Sequence, residues 1–286
     1  MLQEPLELSA PLARELAPQL CRRDPQTGES CAWYHGFWQY ARLLGLGTSP
    51  VGHARFLAEA FGELAVSLKR MQVLIAGAAD YSMLAHVLAV CRSHGIAAQF
   101  TAVDWCETPL ELNRWYAQRE SVALDTLCSD LLDALPAGSH DVLCTHALLG
   151  HIRPADRPRL LTNWRQALRP GGRVITVNRL RPGSPDVPAA FSAEQVEAFV
   201  DAVRSNAGKL DIDAQELARA AQKYAQRQIS WPVRSLDELR QLFEDASFRI
   251  EALSSGPMET AVGRAGIDVP TVPGNAQYGR VVAVRS

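Results

Sequence analysis

Blocks of apolar and polar residues follow one another along the chain, and their spacing predicts alternating strands and helices. Short apolar runs of strand length occur at residues 71–76, 97–103, 122–128, 141–145 and 172–177. Apolar residues spaced three and four apart predict helices between these runs, at 82–93, 109–118 and 157–168. Strands separated by helical segments are typical of a parallel sheet that helices cover on both faces.

The two ends of the chain and one insertion depart from this alternation. Helices are predicted at 31–46 and 51–68, and two amphipathic helices lie in an insertion at 183–234. Two late strands, 248–254 and 278–284, are predicted to form an antiparallel pair at the sheet edge. Together these elements predict a doubly wound, mostly parallel α/β sheet of seven strands with an antiparallel last strand. Residues 1–69 would be helical, and residues 70–286 would form the core.

Three helix starts carry capping signals that fix where the helices should begin. The signals are Thr108 with Glu111, Asp156, and Ser235 with Glu238. In each case a short polar side chain could accept a hydrogen bond from a free N–H group of the first turn.

The segment MQVLIAGAAD, residues 71–80, carries the clearest chemical signal. An apolar run ends in a turn of small residues, Gly77, Ala78 and Ala79, which Asp80 and a predicted helix follow. Small residues let a ligand approach the backbone, and the helix presents free N–H groups at its N-terminus. The pattern predicts a ligand site, although such turns also join strands to helices for packing reasons alone.

Composition and charge narrow the class of partner. The chain has 286 residues, a formal net charge of −2 and no block of lysine and arginine, so neither nucleic acid nor a membrane surface is the expected partner. No apolar run approaches the roughly 18 residues that a membrane span needs. The acidic, proline-interrupted N-terminus is unlike a signal peptide. We expect a cytoplasmic protein, and the sequence leaves open whether it is a homodimer.

The six cysteines are scattered along the chain without a CxxC pair. Four of them, Cys91, Cys106, Cys128 and Cys144, lie in or beside apolar segments. This distribution favours buried free thiols in a reducing cytoplasm over disulfides or a metal site. We therefore expect no bound metal.

Taken in order, the motifs resemble those of the class I S-adenosylmethionine (SAM)-dependent methyltransferases over residues 71–285. Gly77 corresponds to the first glycine turn of that family, and Asp104 ends the second strand 27 positions later. DVLCTHALLGHI (141–152) resembles the fourth strand and the turn facing the methyl donor. LRPGGRVI (168–175) resembles the lead into the fifth strand.

The resemblance implies that SAM is the co-substrate, and it assigns the contacts with it. Asp104 would accept hydrogen bonds from both ribose hydroxyls, while Trp105 would stack on adenine or pack the sheet edge. The other implied contacts are the turn from Gly77 to Asp80 beneath the donor, Ser129, Asp130 and Leu131 at the adenine amino group, and Thr145 near the ammonium group. Asp130 could instead cap the short helical stretch after it.

One position departs from the family pattern. Ile75 stands where the first strand commonly carries an acidic residue that holds, through water, the amino group of the methionine portion of SAM. Asp80 is the candidate substitute. A NAD site would use the same glycine turn and ribose acid, but the adenine acid, the RPGG strand entry and the terminal strand pair favour the methyltransferase sheet.

Two side chains, His146 and Tyr34, are the candidates for catalysis. His146 ends the fourth strand and could take a proton from a substrate hydroxyl or amine, or it could be held by local hydrogen bonds alone. Tyr34 lies in an aromatic-rich stretch of residues 1–69, which resemble the substrate lid of the family. An aromatic ring there could contact the sulfonium and exclude water, or the helix could pack onto the core. Tyr34 and Tyr40 point to different faces, so only one should reach the ligand.

The expected activity is methyl transfer from SAM to a small molecule, in secondary metabolism. One alternative on the same fold is an intramolecular cyclisation of SAM to azetidine-2-carboxylate with release of methylthioadenosine. Another is a non-catalytic binding protein with a relic donor site. No motif in the lid or the insertion names an acceptor.

Overall fold

The computed structural model describes residues 4–23, 28–257 and 277–286. The α-helices in these ranges are α1 (Leu6–Leu20), α2 (Ala32–Leu43), α3 (Ala54–Ser67), α4 (Ser82–Ser93), α5 (Glu107–Glu120), α6 (Arg157–Ala167), α7 (Ala193–Asn206), α8 (Ala214–Arg227) and α9 (Leu236–Asp245). The strands are β1 (Arg70–Ala76), β2 (Ala97–Asp104), β3 (Leu124–Cys128), β4 (His140–His146), β5 (Leu168–Leu180), β6 (Ala189–Ala190), β7 (Ile229–Ser230), β8 (Phe248–Gly256) and β9 (Gln277–Arg285).

Seven of these strands form one sheet in the order β3-β2-β1-β4-β5-β9-β8. The pairs from β3 to β5 are parallel, whereas β9 runs antiparallel to both β5 and β8. The predicted mostly parallel sheet with an antiparallel last strand is therefore confirmed. The strand order reverses between β1 and β4, and in open α/β sheets a ligand crevice forms outside the carboxyl ends at such a point.

The sheet is buried on both faces, as its continuous apolar strands predict. Along β1 the side chains alternate, so Val73 and Ile75 join one core and Leu74 joins the other. The first core contains apolar residues of α3 and α4, and the second contains Trp164 of α6 and Phe243 of α9.

Helices α1, α2, α7 and α8 form a second packed unit, which we call the helical cap. Its core joins Phe37 and Tyr40 of α2 to Phe199 of α7 and Tyr224 of α8. The Phe37 and Tyr224 ring centroids lie 5.2 Å apart. The N-terminal helices and the insertion therefore pack against each other, which their separation in the sequence did not indicate. The division into a lid and a core stays a prediction.

The capping predictions have mixed outcomes. Ser235 caps α9 by accepting a hydrogen bond from the backbone N–H of Glu238, as predicted. The prediction for Thr108 is wrong, because α5 already begins at Glu107 and Thr108 is buried within the first turn. The prediction for Asp156 is also wrong: its side chain makes no capping bond to α6. A short 3-10 turn runs directly into that helix and holds Asp156 in a helical conformation.

None of the helices in the described ranges combines the length and the apolar character that a bilayer span requires.

Candidate active site

Two adjoining cavities open at the carboxyl ends of β1, β2 and β4. We call them the Asp104 cavity, which also contains Trp105, and the Arg42 cavity, which also contains Asp80 and Thr145. Both are lined by Tyr34, Gly77, Ala78, Ala79, His146, His151, Gln228 and Trp231. Because they share this wall, the two cavities form one cleft, located where the strand order reverses.

The turn after β1 requires glycine at position 77. Gly77 has a φ of +69°, and a Cβ atom added there would lie 2.7 Å from Cδ1 of Leu148 and 3.3 Å from Cδ1 of Leu131. Its N–H donates to the carbonyl of Val103 at 2.9 Å, which ties the turn to β2. The positive φ strains any side chain at this position, and a Cβ atom would also force Leu148 to shift, so glycine is the residue that leaves this turn unstrained and its backbone open to the cleft.

Asp104 ends β2 and is bonded directly to that turn. One carboxylate oxygen accepts from the backbone N–H of Ala78 at 3.0 Å, and the other accepts from the N–H of Cys106 at 2.8 Å. Burial raises the pKa of Asp104 to about 6, although the charge of His35 opposes this shift. Each oxygen keeps a second lone pair, so the carboxylate can still accept hydrogen bonds from a ligand. Trp105 beside it is 40% exposed.

Asp80 belongs to a buried ion network rather than standing open to the cleft. Arg42 of α2 donates to one oxygen of Asp80 at 2.7 Å and also pairs with Glu4. The other oxygen of Asp80 accepts from the backbone N–H of Ser82, at the start of α4. All three charged side chains are at least 93% buried. Both oxygens of Asp80 are thus engaged, and its contact with the amino group of SAM stays a prediction.

Thr145 and His146 end β4 on the opposite side of the crevice. The hydroxyl of Thr145 and Nε2 of His146 are buried and have no hydrogen-bond partner among the described residues. Burial, with a smaller effect of the Arg42 charge, lowers the pKa of His146 to about 4, so its imidazole is neutral at neutral pH. Ala147 follows with a φ of 55°, which turns the chain sharply. Both residues line the Arg42 cavity, so a group bound there could satisfy these two atoms.

Tyr34 of α2 forms part of an aromatic wall over the cleft. Its ring stacks on Tyr224 at 5.7 Å and on Trp38 at 5.6 Å, and its edge meets His151 at 6.1 Å. Burial raises the pKa of Tyr34 well above its usual value, so the phenol stays protonated. Tyr40 lies in the core of the helical cap and does not line either cavity. Tyr34 therefore lies at the cleft, and its contact with a ligand stays a prediction.

The three residues after β3 that were predicted to contact adenine do not all lie at the cleft. Leu131 packs against the Gly77 turn, but neither Ser129 nor Asp130 lines the two cavities. Asp130 is exposed, and its carboxylate accepts from the backbone N–H of Leu132 at 2.9 Å, which closes a local turn. Contact of Ser129 and Asp130 with adenine therefore stays a prediction.

The structure adds cleft residues that the sequence did not reveal. They come from the helical cap and from loops after α8 and β4, and include Arg42, Gln228 and Trp231. The buried Arg157 of α6 positions two of these loops, because its guanidinium donates to the carbonyls of Leu149 and Trp231. These two contacts join residues 8 and 74 positions apart in the sequence, so no local motif predicts them.

Comparison with known proteins agrees with this geometry. The sequence pattern described as "Methyltransferase domain" matches residues 82–176, about a third of the chain. A solved structure described as a sarcosine dimethylglycine methyltransferase from Galdieria sulphuraria aligns with a TM-score of 0.52 at 13% identity, covering 85% of this chain and 92% of that one. The cyclase SpnF aligns with a TM-score of 0.53 at 15% identity, covering 98% and 93%. No curated protein matched the sequence.

The chain thus has the class I methyltransferase fold, with its seven-stranded sheet and reversed strand order. Residues 82–176, which run from α4 into β5, match the pattern described as a methyltransferase domain. Because SpnF shares the fold, the fold by itself does not fix the reaction.

Proposed function

We propose that the protein is a SAM-dependent enzyme that transfers the methyl group of SAM to a small molecule. The observation that carries this proposal is the pairing of the Gly77 turn with Asp104 through the bond between Ala78 N–H and the carboxylate. A glycine turn whose backbone is open to the cleft and a carboxylate that could accept from ribose hydroxyls lie together at the carboxyl edge of the sheet. They lie beside Thr145 and His146, whose buried polar atoms have no hydrogen-bond partner among the described residues.

The residues of the cleft fit SAM along its length. The Asp104 cavity, with Asp104 and the partly exposed ring of Trp105, suits an adenosine. The methionine portion would extend over the Gly77 turn, towards Thr145. The two cavities share a wall and together extend from Asp104 and Trp105 to Thr145 and Arg42, so a small acceptor could lie beside the donor.

SAM supplies a sulfonium centre whose methyl group is already activated for attack. The protein therefore has to orient the nucleophile and exclude water. The neutral imidazole of His146 can accept a proton from an acceptor hydroxyl or amine. The rings of Tyr34, Trp38 and Tyr224 close the cleft, and a ring facing the sulfonium would contribute about 0.5–2 kcal/mol.

The Arg42 cavity, where the acceptor would bind, favours a small organic molecule over a macromolecule. It lies beneath the helical cap, with aromatic side chains and arginines such as Arg179 and Arg181 in its wall. A role in secondary metabolism and a cytoplasmic location are part of the proposal.

The nucleoside product tests the reaction. The purified enzyme is incubated with SAM and candidate acceptors, and the products are separated by chromatography and identified by mass spectrometry. S-adenosylhomocysteine (SAH) that forms only when an acceptor is present supports methyl transfer. A folded protein that binds no SAM would overturn the proposal.

Ile75 and Asp80 favour a second candidate reaction, the cyclisation of SAM. Ile75 stands in place of the acid, and both oxygens of Asp80 already accept hydrogen bonds within the protein, which would weaken its hold on the amino group of SAM as an ammonium ion. A neutral amine could attack the γ-carbon of its own chain, forming the C–N bond as the C–S bond breaks, with the amine proton passing to His146. Methylthioadenosine in the absence of any acceptor would favour this cyclisation over methyl transfer.

A further inference from the structure

Three thiols and an imidazole converge beside the Asp104 cavity, although they are far apart in the sequence. We call them the Cys₃His cluster: Cys21, Cys31, His35 and Cys106. One ligand atom of each, a sulfur or a ring nitrogen, lies within 4.8 Å of those of all the others. The sequence favoured free thiols over a metal site because no CxxC pair is present, but the fold brings these four residues together.

The spacing of the sulfur atoms fits an ion-centred arrangement. Sγ of Cys106 lies 3.5 Å from Sγ of Cys21 and 3.5 Å from Sγ of Cys31. Zinc–sulfur bonds of about 2.3 Å in a tetrahedral site place two sulfurs roughly 3.8 Å apart. Both sulfur–sulfur distances are close to this value, and all four ligand atoms lie within 4.8 Å of one another, so a single ion could contact them all.

The ends of three helices hold the ligands in place. Cys21 is the C-cap residue of α1, Cys31 is the N-cap residue of α2 and Cys106 is the N-cap residue of α5. His35 is four residues beyond Cys31, and that spacing puts both side chains on one side of α2. The N-termini of α2 and α5 favour negative charge, so they favour the thiolate forms that bind metal.

The surroundings of the cluster also suit a metal site. Cys21, His35 and Cys106 are each at least 91% buried. Nδ1 of His35 is buried and has no hydrogen-bond partner among the described residues. The hydroxyl of Thr108 lies 3.2 Å from Sγ of Cys21, where it can donate to a thiolate as an outer-shell group.

We propose that the Cys₃His cluster binds one zinc ion as a structural site. Four protein ligands complete the tetrahedral coordination and leave no position for a substrate. Binding releases the protons of the three thiols, so the ion, three thiolates and a neutral imidazole carry a net charge of −1. The ion would fasten α1 and α2 of the helical cap to α5, directly after the strand that ends in Asp104. The proposal extends beyond methyl transfer and does not depend on it.

Metal content of the full-length protein tests this site. The protein is expressed in zinc-supplemented medium and purified under reducing conditions, and metal is measured by mass spectrometry. We expect about one zinc ion per chain, and a loss of most of it in Cys21→Ser and in Cys106→Ser. Cys128→Ser, at an exposed cysteine outside the cluster, and Cys91→Ala, at a buried one, should retain zinc.

Position 35 gives a matched pair that separates ligation from folding. His35→Ala should lose zinc, whereas His35→Cys should keep it, because a fourth thiolate can replace the imidazole. Cobalt added to the metal-free protein should give thiolate charge-transfer absorption that is absent from Cys106→Ser but present in Cys128→Ser. These readouts are independent of SAM, so failure of the proposed reaction would leave them unchanged.

The proposal is overturned by any of three results. The first is a full-length, reduced protein that contains no zinc and takes up none at micromolar concentrations. The second is a Cys106→Ser variant that binds zinc as the unmodified protein does. The third is a disulfide within the cluster, detected by mass mapping of protein purified without reductant, together with a failure of the reduced protein to bind metal.

Discussion

The two walls of the cleft are built in different ways. On the sheet side, the Gly77 turn and Asp104 sit at the ends of adjacent parallel strands, and a backbone N–H joins them. On the cap side, Tyr34 and Arg42 of α2 meet Tyr224 of α8 and Asp80 through ring stacking and a buried ion pair. The first wall depends on backbone geometry, and the second depends on side chains far apart in sequence. Substitutions in the two walls should therefore have different consequences.

The largest effect is expected in the sheet wall, from Gly77→Val. Its Cβ would lie within 2.7 Å of Leu148, and a β-branched residue is strained at a φ of +69°. We expect no measurable SAH binding by calorimetry. Gly138→Val is the control, because Gly138 also has a positive φ but no atom within 4 Å of its added Cβ. If Gly77→Val binds SAH normally, the donor lies elsewhere.

In the cap wall, Arg42→Ala should mainly affect stability. It would leave the carboxylates of Asp80 and Glu4 buried without their partner, and breaking a buried pair in this way costs about 3–5 kcal/mol. The free energy of unfolding is measured in urea. Arg204→Ala, which removes an exposed pair with Asp201, should cost less than about 1 kcal/mol. Equal losses in both variants would show that the buried network adds little.

The same network predicts how stability varies with pH. Burial and the Arg42 charge lower the pKa of His86 to about 4, from 6.5 in the unfolded chain. Between those values the unfolded state binds the proton more readily, so stability is lost as the pH falls from 6.5 towards 4. Asp104 has the opposite effect, since its pKa is raised. We therefore expect His86→Gln to lose less stability than the unmodified protein between pH 7 and 4.5. An identical pH dependence would contradict this assignment.

The smallest effect concerns motion of the cap. If residues 1–69 include a lid, α2 must move to admit the donor, and SAH should slow its amide hydrogen exchange. Peptides from Ala32–Leu43 should gain protection on SAH addition, whereas those from Ala54–Ser67, which pack on α4, should change little. Equal protection of α2 with and without SAH would mean that the helix is a fixed wall.

The sheet wall could largely be predicted from the sequence. Its signals are local. The apolar strand of Val73, Leu74 and Ile75 ends where the small residues of the turn begin, and Asp104 ends the next strand 27 positions after Gly77. Parallel pairing then brings these ends together without further information. The boundaries of α4, at Ser82 and Ser93, could be predicted for the same reason.

The cap wall and the Cys₃His cluster could not be predicted in this way. Arg42 pairs with Asp80 across 38 residues, and Cys21 meets Cys106 across 85 residues. Such contacts depend on the packing of whole helices, which leaves no spacing pattern in a single sequence. Thr108 shows the converse: its position suggests a cap, but the tertiary structure buries it within α5, beside Cys21.

The central claim is that the ribose of SAM binds to Asp104, and calorimetric titration with SAH tests it most directly. Asp104→Ala removes two hydroxyl acceptors and the tie to the Gly77 turn, so the account predicts at least tenfold weaker binding, about 1.4 kcal/mol or more. Asp125→Ala, at an exposed position on β3, should leave the affinity unchanged. A folded Asp104→Ala protein that binds SAH as tightly as the unmodified protein would contradict the account.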